Sequence, residues 1–156
     1  MAARGKKRIV AFEAPAEANR FTRQHAIDVE DAPGHRLRVF ELLRTYGEDA
    51  PLIEGVALRE AWIRGTTDFT DLNGLGTTYV TYVMASGEKI HARGNVLAHR
   101  LPAGDGRELL KNLTGLTVTG GTGRFVAIRG LVRAETVSDN VTFNQNRSEM
   151  EYWFEE

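Results

Sequence analysis

The sequence predicts an all-β fold: seven or eight antiparallel strands forming a sandwich or a closed barrel. Three observations carry this. From Arg36 onward apolar and polar residues alternate with period two. Clusters of Gly, Asp, Asn and Pro interrupt the alternation about every 10–15 residues. No window sustains a capped 3.6-residue apolar period, apart from a weak helical pattern over 16–25. Closure into a barrel is preferred, because it removes edge strands that would otherwise template aggregation.

Taken in order, residues 1–30 read as an N-terminal tail and lead-in, and 31–156 as one barrel domain. Arg4, Lys6, Lys7 and Arg8 make a small basic patch on a solvated tail. The apolar stretch after it, Ile9 to Phe12, is too short for the roughly 7–15-residue core of a secretory signal, so a cytoplasmic location is expected. Residues 36–43 read as a strand, broken by Glu48, Asp49, Ala50 and Pro51. A second extended run covers 55–67 and is closed by Asp71, Leu72, Asn73 and Gly74. Residues 77–84 are β-branched or aromatic up to Met84, Ser86-Gly87-Glu88 signals a tight turn, and 89–100 resumes the alternation. These two segments predict a hairpin. After a loop at 102–106 come strands over 108–119, 128–137 and 141–154, with a turn at Ser138, Asp139 and Asn140.

Composition narrows the chemistry. The 156 residues carry 20 Lys plus Arg against 21 Asp plus Glu, a near-balance that gives no global attraction to nucleic acid or to an acidic membrane surface. There is no Cys, which excludes disulfides, thiolate metal sites and thiol nucleophiles. No run approaches the roughly 20 apolar residues of a membrane-spanning helix. His25, His35, His91 and His99 show no helical i,i+4 pair and no carboxylate-backed cluster, so no metal is expected.

Residues 117–125, Thr-Val-Thr-Gly-Gly-Thr-Gly-Arg-Phe, superficially match a dinucleotide fingerprint. However, the third glycine position is Val126, and strand-like sequence follows where a helix is required. No nucleotide cofactor is expected. Gly120, Gly121 and Gly123 instead suit a sharp reversal between strands, with Phe125 as an apolar plug. The stretch Gly-Gly-Thr-Gly-Arg-Phe-Val-Ala-Ile-Arg-Gly, ending at Gly130, resembles the glycine signature of dirigent proteins and is similar to that of allene oxide cyclases. The hairpin over 79–94 and the closing Glu151-Tyr152-Trp153-Phe154 resemble the same superfamily, so the likeness spans about Arg36 to Phe154. It implies an eight-stranded antiparallel barrel and a homo-oligomer, dimer or trimer.

Alternation places Leu37, Val39, Glu41 and Leu43 on one face, and Val56, Leu58, Glu60 and Trp62 on another. If those apolar faces line the lumen, Glu41 and Glu60 are carboxylates in a low-dielectric space, with raised pKa values suited to acid–base catalysis. The alternative is that either faces solvent or pairs with Arg59, Arg64 or Arg93. The resemblance favours Glu41, since Val-Phe-Glu-Leu-Leu is similar to the first-strand Val-Tyr-Glu-Ile-Asn of allene oxide cyclases. Leu43 stands where that family has Asn, and a Cys-free chain has no counterpart to its active-site Cys. Trp62, Tyr82 and Trp153 are candidate substrate-binding aromatics, with core filler or a subunit contact as the alternative. His91, Arg93 and Asn95 read as a solvent face. The expectation is a cyclase or isomerase for a hydrophobic small molecule, with no metal or nucleotide. The alternatives are a non-catalytic carrier of an apolar ligand, or a structural protein with a solid interior.

Overall fold

The computed structural model describes residues 5–102 and 106–156. Ten strands make it up: β1 (Arg8–Ala14), β2 (Asn19–Asp28), β3 (His35–Thr45), β4 (Leu52–Ile53), β5 (Val56–Thr70), β6 (Asn73–Met84), β7 (Lys89–Leu101), β8 (Leu109–Gly121), β9 (Ile128–Ser138) and β10 (Asn144–Phe154). The fold is all-β and every pairing is antiparallel. The sheet runs β1-β10-β9-β8-β7-β6-β5-β3-β2, with β4 added beside β5. Short 3₁₀ turns, Ala16–Ala18 and Gly123–Phe125, supply the only described helical residues.

The strands form where period-two alternation meets turn chemistry. β5 and β6 are joined by a two-residue turn in which Asp71 (φ 52°) and Leu72 (φ 68°) both take the left-handed conformation that matches hairpin twist. Both strands extend beyond the runs expected from sequence. The β6–β7 hairpin turns at Gly87 (φ 87°), where Ser86 Oγ lies 2.9 Å from Glu88 Oε1.

The sheet is strongly curled. β1 and β6 are five strand steps apart, about 24 Å in a flat sheet. Yet Phe12 of β1 meets the Tyr82 ring of β6 edge-on at 6.1 Å, and that of Tyr46 at 5.8 Å. One apolar core, including Leu42, Val80, Ile90, Phe125, Val132 and Met150, is therefore shared by strands from across the whole sheet.

Two expectations need correction. The eight-stranded closed barrel is not what the ladder shows: there are ten strands, and the edge strands β1 and β2 do not pair with each other. They are consecutive in sequence and meet at a corner, where Pro15 and the 3₁₀ turn redirect the chain. Asn19 Nδ2 donates to the carbonyls of Ala14 (3.3 Å) and Pro15 (2.8 Å) there. Across the gap between β2 and β10, Gln24 Nε2 donates to the Val141 carbonyl (3.2 Å). Secondly, the lead-in is structured, and the segment expected to be weakly helical is mostly β2. The described part of the basic tail is tied down. Gly5 N donates to Phe154 O at 2.8 Å, Lys7 pairs with Glu151 at 3.2 Å, and Arg8 pairs with Glu54. Arg4, and residues 103–105 of the expected 102–106 loop, lie outside the described residues.

Candidate functional site

The interior of the curled sheet holds a large apolar cluster that includes Phe125, a smaller one of Phe69, Ala98 and Leu110, and a set of inward polar side chains. β3 alternates, and its inward row is Arg38, Phe40, Leu42 and Arg44, with Leu42 only 1% exposed. β10 turns Asn144, Asn146 and Ser148 inward, in phase with buried Met150 and Tyr152. Between these rows lies a cavity of about 60 Å³. Phe21, Phe40, Leu42, Val80 and Leu116 line it together with Asn112, Thr136, Asn144 and Asn146.

Much of the polar wall is internally satisfied. Asn146 Nδ2 donates to Thr136 Oγ1 (3.0 Å), and Ser148 Oγ donates to Asn146 Oδ1 (2.7 Å). Arg44 Nε donates to Asn19 Oδ1 (2.7 Å), and its terminal nitrogen reaches Asn144 Oδ1 at 3.4 Å. Arg38 Nε donates to Gln24 Oε1 (2.8 Å), while its guanidinium stacks over the rings of Phe40 (4.3 Å) and Phe21 (5.1 Å). Two atoms of the lining are not satisfied: Arg38 Nη2 and Asn112 Oδ1 are buried without a hydrogen-bond partner. Among the described residues no carboxylate lines this cavity, and neither Arg38 nor Arg44 makes an ion pair. Burial accordingly pushes the Arg38 guanidinium down to about 10 and lowers that of Arg44. Burial also raises the Tyr82 and Tyr46 hydroxyls above the ordinary tyrosine value.

Glu41 is not in the interior. With Leu37 (47% exposed) and Val39 (52%) it belongs to the outward row of β3. Its Oε1 accepts from Thr22 Oγ1 (2.6 Å), and its Oε2 accepts from Arg64 Nε (2.8 Å), with Arg23 at 3.8 Å. The Thr22 hydrogen bond and then Arg64 hold the carboxyl below its ordinary value, the reverse of the raised value a general acid would need. Period two was correct and the face was inverted. Three aliphatics marked the outward row as core, while the true inward row carries two arginines.

Glu60 is also outward. A β-bulge between Leu58 and Glu60 re-phases β5, so Leu58 is buried while Glu60 and Trp62 share the outer face. Trp62 Nε1 donates to Glu60 Oε1 (3.2 Å), and Arg64 sits over the indole at 5.3 Å. Trp153 is likewise outward, under Lys7 at 5.7 Å. Of the three aromatics only Tyr82 faces inward, 3% exposed, and it lines the cavity. The face of His91, Arg93 and Asn95 is turned away from the core of β7. His35 differs from the sequence reading, since Asp31 (2.5 Å) and Asp68 (2.6 Å) occupy its two ring nitrogens.

The glycine motif forms the β8–β9 connection. Gly120 (φ 147°) and Gly123 (φ 58°) take positive φ, whereas Gly121 is needed for space, since a Cβ there would stand 2.1 Å from the Lys89 carbonyl. Gly130 lies in β9 beside Tyr152, and Phe125 is fully buried. Sequence reasoning missed Arg38, Arg44, Asn112 and the β10 row. The available signal was Asn-x-Asn-x-Ser in phase with Met150 and Tyr152, a polar stretch on a core-facing parity. Comparison with protein-family models and with curated proteins finds no match for this chain.

Proposed function

We propose that this protein takes a largely apolar small molecule into the interior of its curled sheet and acts on it as a cyclase or isomerase. On this reading the curled, open sheet is a variant of the allene oxide cyclase and dirigent architecture, bridged across its gap by side chains. The observation that carries the reading is the cavity, lined by both apolar and hydrogen-bonding side chains, two of which keep a buried polar atom unpartnered. Buried polar atoms in native proteins nearly always have partners, so orphaned ones facing a void point to an occupant. At about 60 Å³ the void is smaller than the roughly 300 Å³ of common ligand pockets. Uptake therefore requires Phe21 and Arg38 to give way.

The catalysis this site supports is confinement, holding a flexible substrate near its reactive conformer, with Arg44 and the Tyr82 hydroxyl beside it to polarise an oxygen. Glu41 and Glu60 take no part. The absence of carboxylate or imidazole from the described cavity lining favours a second reading, a non-catalytic carrier. Incubation with lipophilic compounds followed by mass spectrometry separates the two: rearranged product supports the cyclase, and unchanged ligand supports the carrier. Leu116→Trp, which fills the cavity, should abolish binding while leaving the β-sheet circular dichroism intact. Undiminished binding by that variant would remove the interior from consideration.

The outer face suits self-association. Ile27, Leu37, Leu75, Leu97 and Leu113, interrupted only by Asp68, stand in one cross-strand register, each 42–64% exposed. Their row crosses six strands round the outside of the curled sheet, with Leu75 and Leu97 paired directly at its centre, and contiguous exposed apolar side chains of this kind mark interaction sites.

A further inference from the structure

We infer that the interior is an anion site, and that the molecule it takes carries a carboxylate held by Arg44. This rests on the proposed interior site and names the class of its ligand.

The argument begins with charge. A guanidinium cannot shed its proton at physiological pH, so burying it without a counter-ion is costly, and proteins normally pair such groups. Here two arginines from one inward row of β3 face the same cavity, and among the described residues no carboxylate lines it. Their partners are neutral amides: Gln24 for Arg38, and Asn19 and Asn144 for Arg44. Both side chains are half-buried, and burial lowers the pKa of both. Every other described element facing the cavity contributes Thr, Ser, Asn, Tyr82 or apolar side chains, so among the described residues no acidic group offsets the positive charge.

The geometry has unused donor capacity. The longest of the arginine bonds, Arg44 to Asn144 at 3.4 Å, is the one a better acceptor would displace. Arginine forks match carboxylate geometry bidentately. The void of about 60 Å³ accommodates a planar carboxylate, while Phe21, Phe40 and Leu42 offer contact to an apolar stem. Inorganic phosphate has no apolar stem to meet those walls.

Calorimetric titration of the full chain with benzoate, benzyl alcohol and inorganic phosphate tests the inference, with Arg44→Met and Arg38→Met beside wild type. The expected result is saturable benzoate binding, with benzyl alcohol and phosphate each much weaker. Arg44→Met should weaken benzoate about 10- to 100-fold, the loss of a charge-assisted hydrogen bond, and Arg38→Met should weaken it much less. Arg44→Lys, which keeps the charge, should recover part of the affinity. Methionine fills similar volume without charge, so these variants should fold, and circular dichroism checks this. Equal binding of benzoate and benzyl alcohol, unaffected by either substitution, would overturn the carboxylate while leaving the interior site standing. Tighter phosphate binding, lost in Arg44→Met, would also overturn the carboxylate and leave an anion site. Binding of none of the three by wild type would overturn both.

Discussion

Charged side chains on the two faces of β3 differ in what surrounds them, and their behaviour follows. Glu41 is ionised at the outer face by Thr22 and Arg64. Its depressed pKa contributes stability above the unfolded carboxyl value, and that contribution is lost as pH falls through the folded value. Glu41→Gln should therefore flatten the acid limb of a pH–stability curve and leave interior ligand binding unchanged, measured by urea unfolding and by titration. A collapse of binding in that variant would restore the carboxylate to the site. His35 has the opposite sign. The hydrogen bonds from Asp31 and then Asp68 raise its pKa, so its contribution is complete below the unfolded imidazole value and fades as pH rises through the folded one. His35→Gln should lose that alkaline fade in the same unfolding series.

Among the elements, the two connections that shape the interior are stabilised differently. The 3₁₀ turn Gly123–Phe125 places Phe125 in the core, and Glu88 holds the turn: its Oε2 accepts from Arg124 N (2.6 Å) and its Oε1 pairs with Arg124 Nε (2.8 Å). A Cβ on Gly123 would stand 2.1 Å from Glu88 Oε2, on a backbone that already requires positive φ. Gly123→Ala should thus destabilise, and Phe125→Ala more so, by about 3–5 kcal/mol for a buried Phe, read from thermal or denaturant unfolding. At the other connection Asp139 Oδ1 accepts from the backbone of Val141 (2.8 Å), Thr142 (2.9 Å) and Phe143 (2.8 Å). Burial pushes its carboxyl up, and these amide donors more than offset this, so its pKa ends low. Asp139→Ala should cost about 1–2 kcal/mol, as loss of a cap does, and speed amide exchange over 141–143.

For the whole molecule, the inside and outside of the sheet have partly exchanged the polarity usual for a monomeric β-protein. The interior holds two arginines and an asparagine row, while the exterior displays a register of leucines. If that row carries self-association, wild type should sediment above the single-chain mass of 17.3 kDa, and Leu75→Lys with Leu97→Glu should sediment at it. Wild type already at the single-chain mass would rule the surface out. Because these side chains face outward, the double variant should keep its unfolding midpoint.

Strand content, antiparallel pairing and the hairpin of β6 and β7 were legible in the order of residues, because alternation and turn chemistry are local properties of a few neighbouring positions. So was the placing of a tight, glycine-dependent reversal before Phe125. The face each strand turns inward was not legible, since period two defines two faces without saying which is covered. On β3 the aliphatic count pointed the wrong way, and on β5 a single bulged residue reversed the phase. The curl that brings Phe12 to Tyr82 and Arg44 to Asn144 depends on contacts a hundred residues apart or on neighbours many strands away. Only the assembled sheet could decide that Arg38 and Arg44 are enclosed and Glu41 is outside, because enclosure is a property of all the strands together.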